Sequence, residues 1–300
     1  MKFKHSIFWY CTLLVLTLSA CSKEQGNRDH GDKALNPLLS NKNQVHASGG
    51  RSAAWIPRNS KIENNKDEIS IKAPDGWSYA GLIKNGKSII TDSEVMAKIS
   101  CTCNTTGACK PFVASGPSGS ISGCGGECTN CTMLQSVFVR NESSTVYSGG
   151  FFNRSSKTRL LKNGENVPAV FEALFEVKEF QQELLSLYKK AYKGKPFMQA
   201  RYLDDGTVEA PEGYSLVGAS IMGRGLLVVL PTGYIKTQLG YSIALKASCG
   251  CSEGNCKLKD KSILGVGAIW CDGNCTGTCT LDTSFAKNSQ YAVVLSAFRY

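Results

Sequence analysis

The sequence predicts a mainly β protein with one amphipathic helix, built from two homologous, disulfide-rich β modules that form a pseudo-symmetric pair. Three observations predict it. First, a six-cysteine pattern occurs twice, as Cys101, Cys103, Cys109, Cys124, Cys128 and Cys131, and as Cys249, Cys251, Cys256, Cys271, Cys275 and Cys279. The offsets run 148, 148, 147, 147, 147 and 148, so the copies slip by at most one residue. Second, both copies consist of short apolar or alternating stretches broken by Gly, Pro, Asn and Asp, the pattern of strands and turns. Third, a single segment between them has apolar residues at helical spacing. Repetition extends beyond the cysteines: Ala73-Pro74-Asp75-Gly76-Trp77 returns as Ala210-Pro211-Glu212-Gly213-Tyr214. Internal repeats of this kind settle the architecture before any local assignment.

In chain order, residues 1–20 have the pattern of an export signal. Lys2 and Lys4 precede an apolar stretch from Ile7 to Leu16 that is too short for a membrane span. It ends in Leu18-Ser19-Ala20-Cys21. This resembles the lipobox of bacterial lipoproteins, over these first 21 residues only. The resemblance implies cleavage before Cys21 and acylation of its thiol (palmitate among the acyl groups). It also implies an envelope protein held to a membrane by its lipid, with the outer membrane preferred where there are two. An ordinary secretory signal is the alternative, and both export the chain. Residues 21–67, rich in Asn, Lys, Ser, Gly and Asp, are expected to form a flexible tether, because such a composition buries too little surface to offset chain entropy.

The first module is expected over 68–160, with strands at Ile69–Lys72, Tyr79–Ile83, Lys87–Thr91, Val137–Arg140 and Thr145–Tyr147. Asn85-Gly86 suits a tight primed turn. Residues 161–205 form a linker. Within it Val170, Phe171, Leu174, Phe175, Val177, Leu184, Leu187, Tyr188 and Ala191 predict an amphipathic helix over 168–193, with Pro168 in its first turn and Gly194 past its end. The second module covers 206–300, with strands at Tyr214–Ile221, Leu226–Leu230, Tyr234–Thr237, Tyr241–Lys246 and Tyr291–Phe298. Its opening motif lies 39 residues before the first cysteine (249 − 210), against 28 in the first copy (101 − 73). About eleven extra residues therefore enter the second copy, and a longer hairpin is the expected use of them.

Three chemistries compete for the cysteines. Disulfides suit an exported chain and an even six per copy. Thiolate metal binding is the second reading, since Cys-x-Cys and Cys-x2-Cys are ligand spacings. Six thiols per copy exceed one tetrahedral set, however, and no histidine completes a mixed site. A catalytic dithiol is the third; Cys128-x2-Cys131 has its spacing but the matching Cys275-x3-Cys279 does not.

The histidines are His5, His30 and His46, all before the modules. Nucleophilic triads using histidine are thereby excluded within them. Asp204, Asp205, Glu209 and Glu212, with Asp67, Glu68 and Asp75 in the first copy, could supply carboxylate pairs, although acids flanking turns ordinarily bond local backbone. Gly223-Arg224-Gly225 lacks the strand–loop–helix setting of a phosphate cradle. Trp77 and Tyr214 occupy equivalent places and read as turn-packing aromatics or, if exposed, as ligand-stacking platforms.

The net charge of +10 falls to +8 once Lys2 and Lys4 are removed, and it is thinly spread, with nine Lys/Arg against six acids in the first module and eight against six in the second. That argues against nucleic acid as a partner. Lys189, Lys190, Lys193 and Lys195 cluster at the expected helix end, where cations complement the dipole; contact with anionic lipid headgroups or glycans is the other reading. The sequence thus points to a lipid-anchored envelope protein that binds an unknown ligand or partner without catalysis, with no catalytic residue, cofactor or metal assigned. A metal-handling lipoprotein and a carboxylate-using envelope enzyme are the alternatives.

Overall fold

A computed structural model describes residues 53–83, 85–91, 96–116, 119–139, 142–241, 246–250, 254–275, 279–282 and 294–297. The chain is mainly β. The first copy contains β1 (Ala53–Ile56), β2 (Lys61–Asn65), β3 (Glu68–Lys72), β4 (Trp77–Ile83), β5 (Ser88–Thr91), β6 (Met96–Cys103), β7 (Cys109–Gly116), β8 (Gly119–Gly126), β9 (Cys131–Val139) and β10 (Glu142–Asn153). The linker contributes β11 (Arg159–Leu160), β12 (Asn166–Pro168), a 3-10 turn (Glu172–Glu176) and α1 (Lys178–Tyr192). The second copy contains β13 (Arg201–Tyr202), β14 (Val208–Glu209), β15 (Tyr214–Ile221), β16 (Arg224–Pro231), α2 (Thr232–Leu239), β17 (Lys246–Gly250), β18 (Gly254–Ile263), β19 (Val266–Cys275), β20 (Cys279–Asp282) and β21 (Val294–Ala297). No helix among the described residues is long and apolar enough to cross a membrane.

The duplication is visible in strand order. The first copy runs β2-β3-β6-β9-β10 across one sheet, and the second runs β13-β14-β17-β20-β21. Register matches too: Cys101 faces Met133, and Cys249 faces Leu281. Both residues of that pair move by 148 (249 − 101 and 281 − 133). Cys109 faces Gly126 as Cys256 faces Gly273. Beyond these segments the copies diverge. β10 continues past a bulge between Val146 and Ser148 and pairs with β4, whereas β21 pairs with the linker strand β12.

Disulfides join Cys101 to Cys124, Cys103 to Cys128, Cys109 to Cys131 and Cys249 to Cys271, with Cα separations of 5.7, 5.9, 5.8 and 5.7 Å. Cys256 is also disulfide-bonded. Cys251 lies outside the described residues, and Cys275 and Cys279 are described in backbone only. Cys101–Cys124 and Cys109–Cys131 tie the β6–β9 pair to the neighbouring β7–β8 hairpin, Cys249–Cys271 ties β17 to β19, and Cys103–Cys128 ties β6 to the turn before β9. In the first copy that hairpin carries Gly116, Gly119, Ser120, Ser122, Gly123, Gly125 and Gly126 and has few apolar side chains to hold it.

Two cores meet across shared strands. Tyr79 and Phe151 point into the first copy's core with Ile69, Ile71, Ala97, Ile99 and Val137. Their neighbours Ala80 and Phe152, on the opposite pleat, join the second core with α1, β15 and β16. β4 and β10 are therefore covered on both faces, which explains why Ser78–Leu82 is buried without alternation. The Tyr79 ring needs space across the sheet. A Cβ on Gly149 would sit 2.6 Å from the Tyr79 hydroxyl, and one on Gly81 2.6 Å from a Val146 methyl.

Arg224 lies at this junction, 3% exposed. Its Nε donates to the Phe151 carbonyl at 2.6 Å and its NH1 to the Ala169 carbonyl at 3.3 Å. Its guanidinium lies 4.8 Å from the Trp55 ring centroid and 4.9 Å from that of Phe171. One cation thus joins β1, β10, the linker and β16. Hydrogen bonds and ring faces offset the desolvation of its charge.

Several expectations are corrected. Residues 53–65 of the expected tether carry β1 and β2. Trp55 and Ile56 are buried there, and two apolar residues between polar stretches are too few to show periodicity. The helix expected over 168–193 is broken. Pro168 pairs as part of β12, and Val170 donates its N–H to the Gly225 carbonyl, so the chain is held extended until it leaves β16. The second copy's hairpin is longer, eight paired positions in β15–β16 against four in β4–β5, but most of the extra residues form α2, which also takes up the stretch Tyr234–Thr237 expected as a strand. Thr237 bonds back to the Gly233 carbonyl, and Gly240 ends the helix at φ 80°. Of Tyr241–Lys246, residues 242–245 lie outside the described residues; Lys246 begins β17. Of Tyr291–Phe298, residues 294–297 form β21 and the rest lie outside.

Two outcomes are expected. Replacing Arg224 by Met leaves two buried carbonyls without their donors and is expected to cost about 2–3 kcal/mol. This would appear as a lower denaturant midpoint at unchanged slope; an unchanged midpoint would remove Arg224 from its role as a joint. Carrying the first copy's pairing across the repeat predicts Cys251–Cys275 and Cys256–Cys279, to be read from peptide mapping under non-reducing conditions. A Cys251–Cys279 peptide would contradict it.

Candidate functional site

α1 packs its buried face, Phe180, Leu184, Leu187, Tyr188, Ala191 and Tyr192, on the second core. Two phenols pin it. Tyr188 donates to the Gly267 carbonyl at 2.6 Å and accepts from the Val229 N–H at 3.2 Å. Tyr192 donates to the Val229 carbonyl at 3.0 Å and accepts from the Met198 N–H at 3.2 Å. β16 meets β19 only at Leu227–Ile269, so the phenols take up the backbone of Val229 two residues further on. Burial, above all, pushes the Tyr192 phenol up to about 12 and that of Tyr188 higher still.

The outer face of α1 forms one wall of a groove. Residues 154–162 cross over β15 as β11 and form the second wall, and α2 forms the third. The groove encloses a cavity of about 820 Å³ lined by Arg154, Lys157, Thr158, Arg159 and Lys162 from the crossing segment, by Glu179, Gln182, Glu183, Ser186 and Lys190 from α1, and by Tyr234 and Gln238 from α2. A neighbouring cavity of about 400 Å³ shares Lys190, Tyr234 and Gln238 and adds Lys193 and Lys195. Together they hold seven cations, Arg154, Lys157, Arg159, Lys162, Lys190, Lys193 and Lys195, against two acids, a formal balance of +5 (7 − 2).

Both acids are already engaged. Glu179 pairs with Arg154 at 2.7 Å. Backbone hydrogen bonding at the start of α1, followed by Arg154, holds its carboxyl below the usual value. Glu183 accepts from the Thr158 hydroxyl at 2.6 Å. Arg159 reaches out to Glu165 at 2.7 Å. Lys157, Lys162, Lys190, Lys193 and Lys195 have no ion-pair partner among the described residues. Burial raises the Tyr234 phenol, which stays neutral and can donate at any ordinary pH.

The residues singled out in the sequence fall elsewhere. Cys21 lies outside the described residues. Trp77 is half-buried against Trp55, centroids 5.4 Å apart, and Tyr214 stacks on Tyr192 at 5.6 Å. Three of the seven candidate carboxylates are committed locally: Glu68 to Lys98 at 2.7 Å, Glu209 to Arg201 at 2.7 Å, and Asp205 to Thr207. Hydrogen bonds hold Asp205 and Glu209 below their ordinary values, Thr207 acting on the first and Arg201 on the second. They stay ionised, the opposite of what a general acid requires. The sulfurs of Cys103, Cys109 and Cys128 lie within 4.8 Å of one another, but all three are spent in disulfides.

Of the lysine cluster, Lys190, Lys193 and Lys195 line the groove while Lys190 also sits in the last turn of α1, so dipole and groove placement coincide. Residues missed in the sequence are those of the crossing segment. Arg154, Lys157, Arg159 and Lys162 put four cations in nine positions without an acid, a signal that was present. Tyr234 and Gln238 were hidden by the expectation of a strand. Comparison with family models, with curated proteins and with solved structures returns no match.

The buried phenols fix an alkaline limit. Tyr188 and Tyr192 hold their protons more tightly when folded than at the ordinary value of 10.0. Their contribution to stability is therefore complete below pH 10 and is lost as pH rises through about 12. Denaturant midpoints measured from pH 9 to 12 are expected to fall, and to fall less steeply in Tyr188→Phe/Tyr192→Phe. Equal slopes would contradict the assignment.

Proposed function

We propose that this chain is a lipid-anchored envelope protein that binds a ligand or partner in the α1–α2 groove and performs no chemistry on it. The observation that carries the reading is the groove itself: an open cavity of about 820 Å³ walled by donors, in which both carboxylates are engaged by other side chains. A general acid needs a carboxyl that holds its proton, and backbone hydrogen bonding and Arg154 keep Glu179 below the usual carboxylate value. The lipobox at Leu18–Cys21 supports export and anchoring. The disulfides support a scaffold that stays folded in an oxidising compartment.

A metal-handling role is the second reading. The mutual approach of the Cys103, Cys109 and Cys128 sulfurs favours it, since reduction of their bridges would free thiolates near enough to share a soft cation.

The test has two arms. Cys21→Ser should move the protein from the membrane to the soluble fraction. Mature protein incubated with an envelope extract should melt at a higher temperature than without it, and Ser186→Trp, which fills the groove from the exposed face of α1, should abolish that rise. A rise that survives Ser186→Trp, or no rise with any extract, overturns the groove as the binding site. Zinc or copper(I) retained at one ion per copy after mild reduction would favour the second reading.

A further inference from the structure

Resting on the reading of the groove as a ligand site, we infer that its ligand is an acidic glycan, a saccharide chain bearing carboxylates or sulfates. The first argument is charge. Five lysines without an ion-pair partner among the described residues face the two joined cavities from two segments, Lys157 and Lys162 from 154–162, and Lys190, Lys193 and Lys195 from the end of α1. Such convergence is costly in like-charge repulsion unless a polyanion relieves it. Internal relief is partial: Glu179 is paired with Arg154, and Glu183, bonded to the neutral Thr158 hydroxyl, keeps its one negative charge against the five lysines.

Length is the second argument. The lining of α1 runs from Glu179 to Lys190, eleven steps of a helix, or about 17 Å, and the smaller cavity extends it to Lys195. Cations stand at both ends of that length, Arg154 at Glu179 and Lys190, Lys193 and Lys195 at the far end. A single phosphate would use two or three of them; a chain with a charge on successive units would use them all.

The third argument concerns the remaining wall. Between the cations lie amides and hydroxyls, Gln182, Gln238, Ser155, Ser156 and Ser186. These donate and accept at once, as sugar hydroxyls require. Tyr234 adds one neutral phenol shared by both cavities. The apolar liners are Leu160, Leu187 and Met222, each buried, and the half-buried Leu239; an anionic lipid is the competing ligand that the test below separates. The groove has too few aromatics for the stacked bases of a single-stranded nucleic acid.

Isothermal titration of the mature, disulfide-bonded protein tests the proposal, with an oligogalacturonate and a heparin oligosaccharide as acidic probes and cellohexaose as the neutral one. At least one acidic probe should bind, cellohexaose should not, and binding should weaken as salt rises from low to moderate concentration. Lys157→Glu/Lys162→Glu/Lys190→Glu should weaken acidic-glycan binding by about tenfold or more. The milder Lys157→Gln/Lys162→Gln/Lys190→Gln set serves if the reversal disturbs folding. Lys110→Glu, an exposed lysine on β7, should change nothing.

Four results would overturn the inference: equal binding of neutral and acidic probes, equal loss in Lys110→Glu, tighter binding of anionic phospholipid vesicles, or tighter binding of an oligothymidylate. If envelope extract still raises the melting temperature through Ser186 while neither acidic probe binds, the ligand class is wrong and the groove reading survives. If neither effect occurs, both fall.

Discussion

The structure depends on two strands that have no outside. β4 and β10 present Tyr79 and Phe151 to one core and Ala80 and Phe152 to the other, so neither copy can shed its neighbour without exposing an apolar face. A strand buried on both sides is normal in parallel sheets covered by helices. Here the same condition is met in an antiparallel pair, with the linker helix and the second copy covering the second face. Arg224 reinforces the junction from within. Its carbonyl acceptors belong to β10 and the linker, and its ring contacts to β1 and the segment entering the 3-10 turn. The charge is tolerated because three other segments, β1, β10 and the linker, converge on it.

Where apolar burial is thin, sulfur takes over. The β7–β8 hairpin has few large side chains; two bridges hold it to β6 and β9, and a third ties β6 to the turn that leaves the hairpin. Each closes a loop of 22 to 25 residues, for which chain-entropy reasoning gives about 3 kcal/mol apiece. The long edge strand β18 solves a different problem. Lys257, Lys259 and Lys261 alternate along it, the last two paired with Asp272 and Glu176. Charges on an edge discourage pairing with another chain.

Much of this was legible in the chain. The cysteine offsets of 147 and 148 located two equivalent modules, and Cys101 and Cys249 do sit at equivalent registers. Leu184, Leu187, Tyr188 and Ala191, the later part of the stripe that began at Val170, located α1. What was illegible has physical causes. β7 and β8 lack alternation because disulfides substitute for an apolar face. β1 is short, and its burial comes from Arg224 and Trp77, both distant in sequence. α2 reads as a strand because Tyr234-Ile235-Lys236-Thr237 is β-branched and aromatic; only Ile235 of that helix is buried, so its apolar pattern is too weak to announce a period. Each cation run was visible in the chain, but not the groove, because only the fold brings residues 154–162 beside Lys190, Lys193 and Lys195.

That last point bears on how the duplication is used. The walls of the groove are residues 154–162, the outer face of α1 and the helix α2. None of these belongs to the strands that the two copies share: the first two lie between the copies, and the third occupies the extra residues of the second. The repeated, cross-linked strands form the frame, and the groove arises where repetition stops. A binding surface placed on the shared strands would be presented twice, and any change there would be constrained by the cysteine register on which both frames rely. Placing it on the linker and the insertion leaves its length and charge adjustable without touching a disulfide. The frame can then stay rigid while the groove is tuned, which is the division of labour expected when loops carried by a fixed scaffold do the recognising.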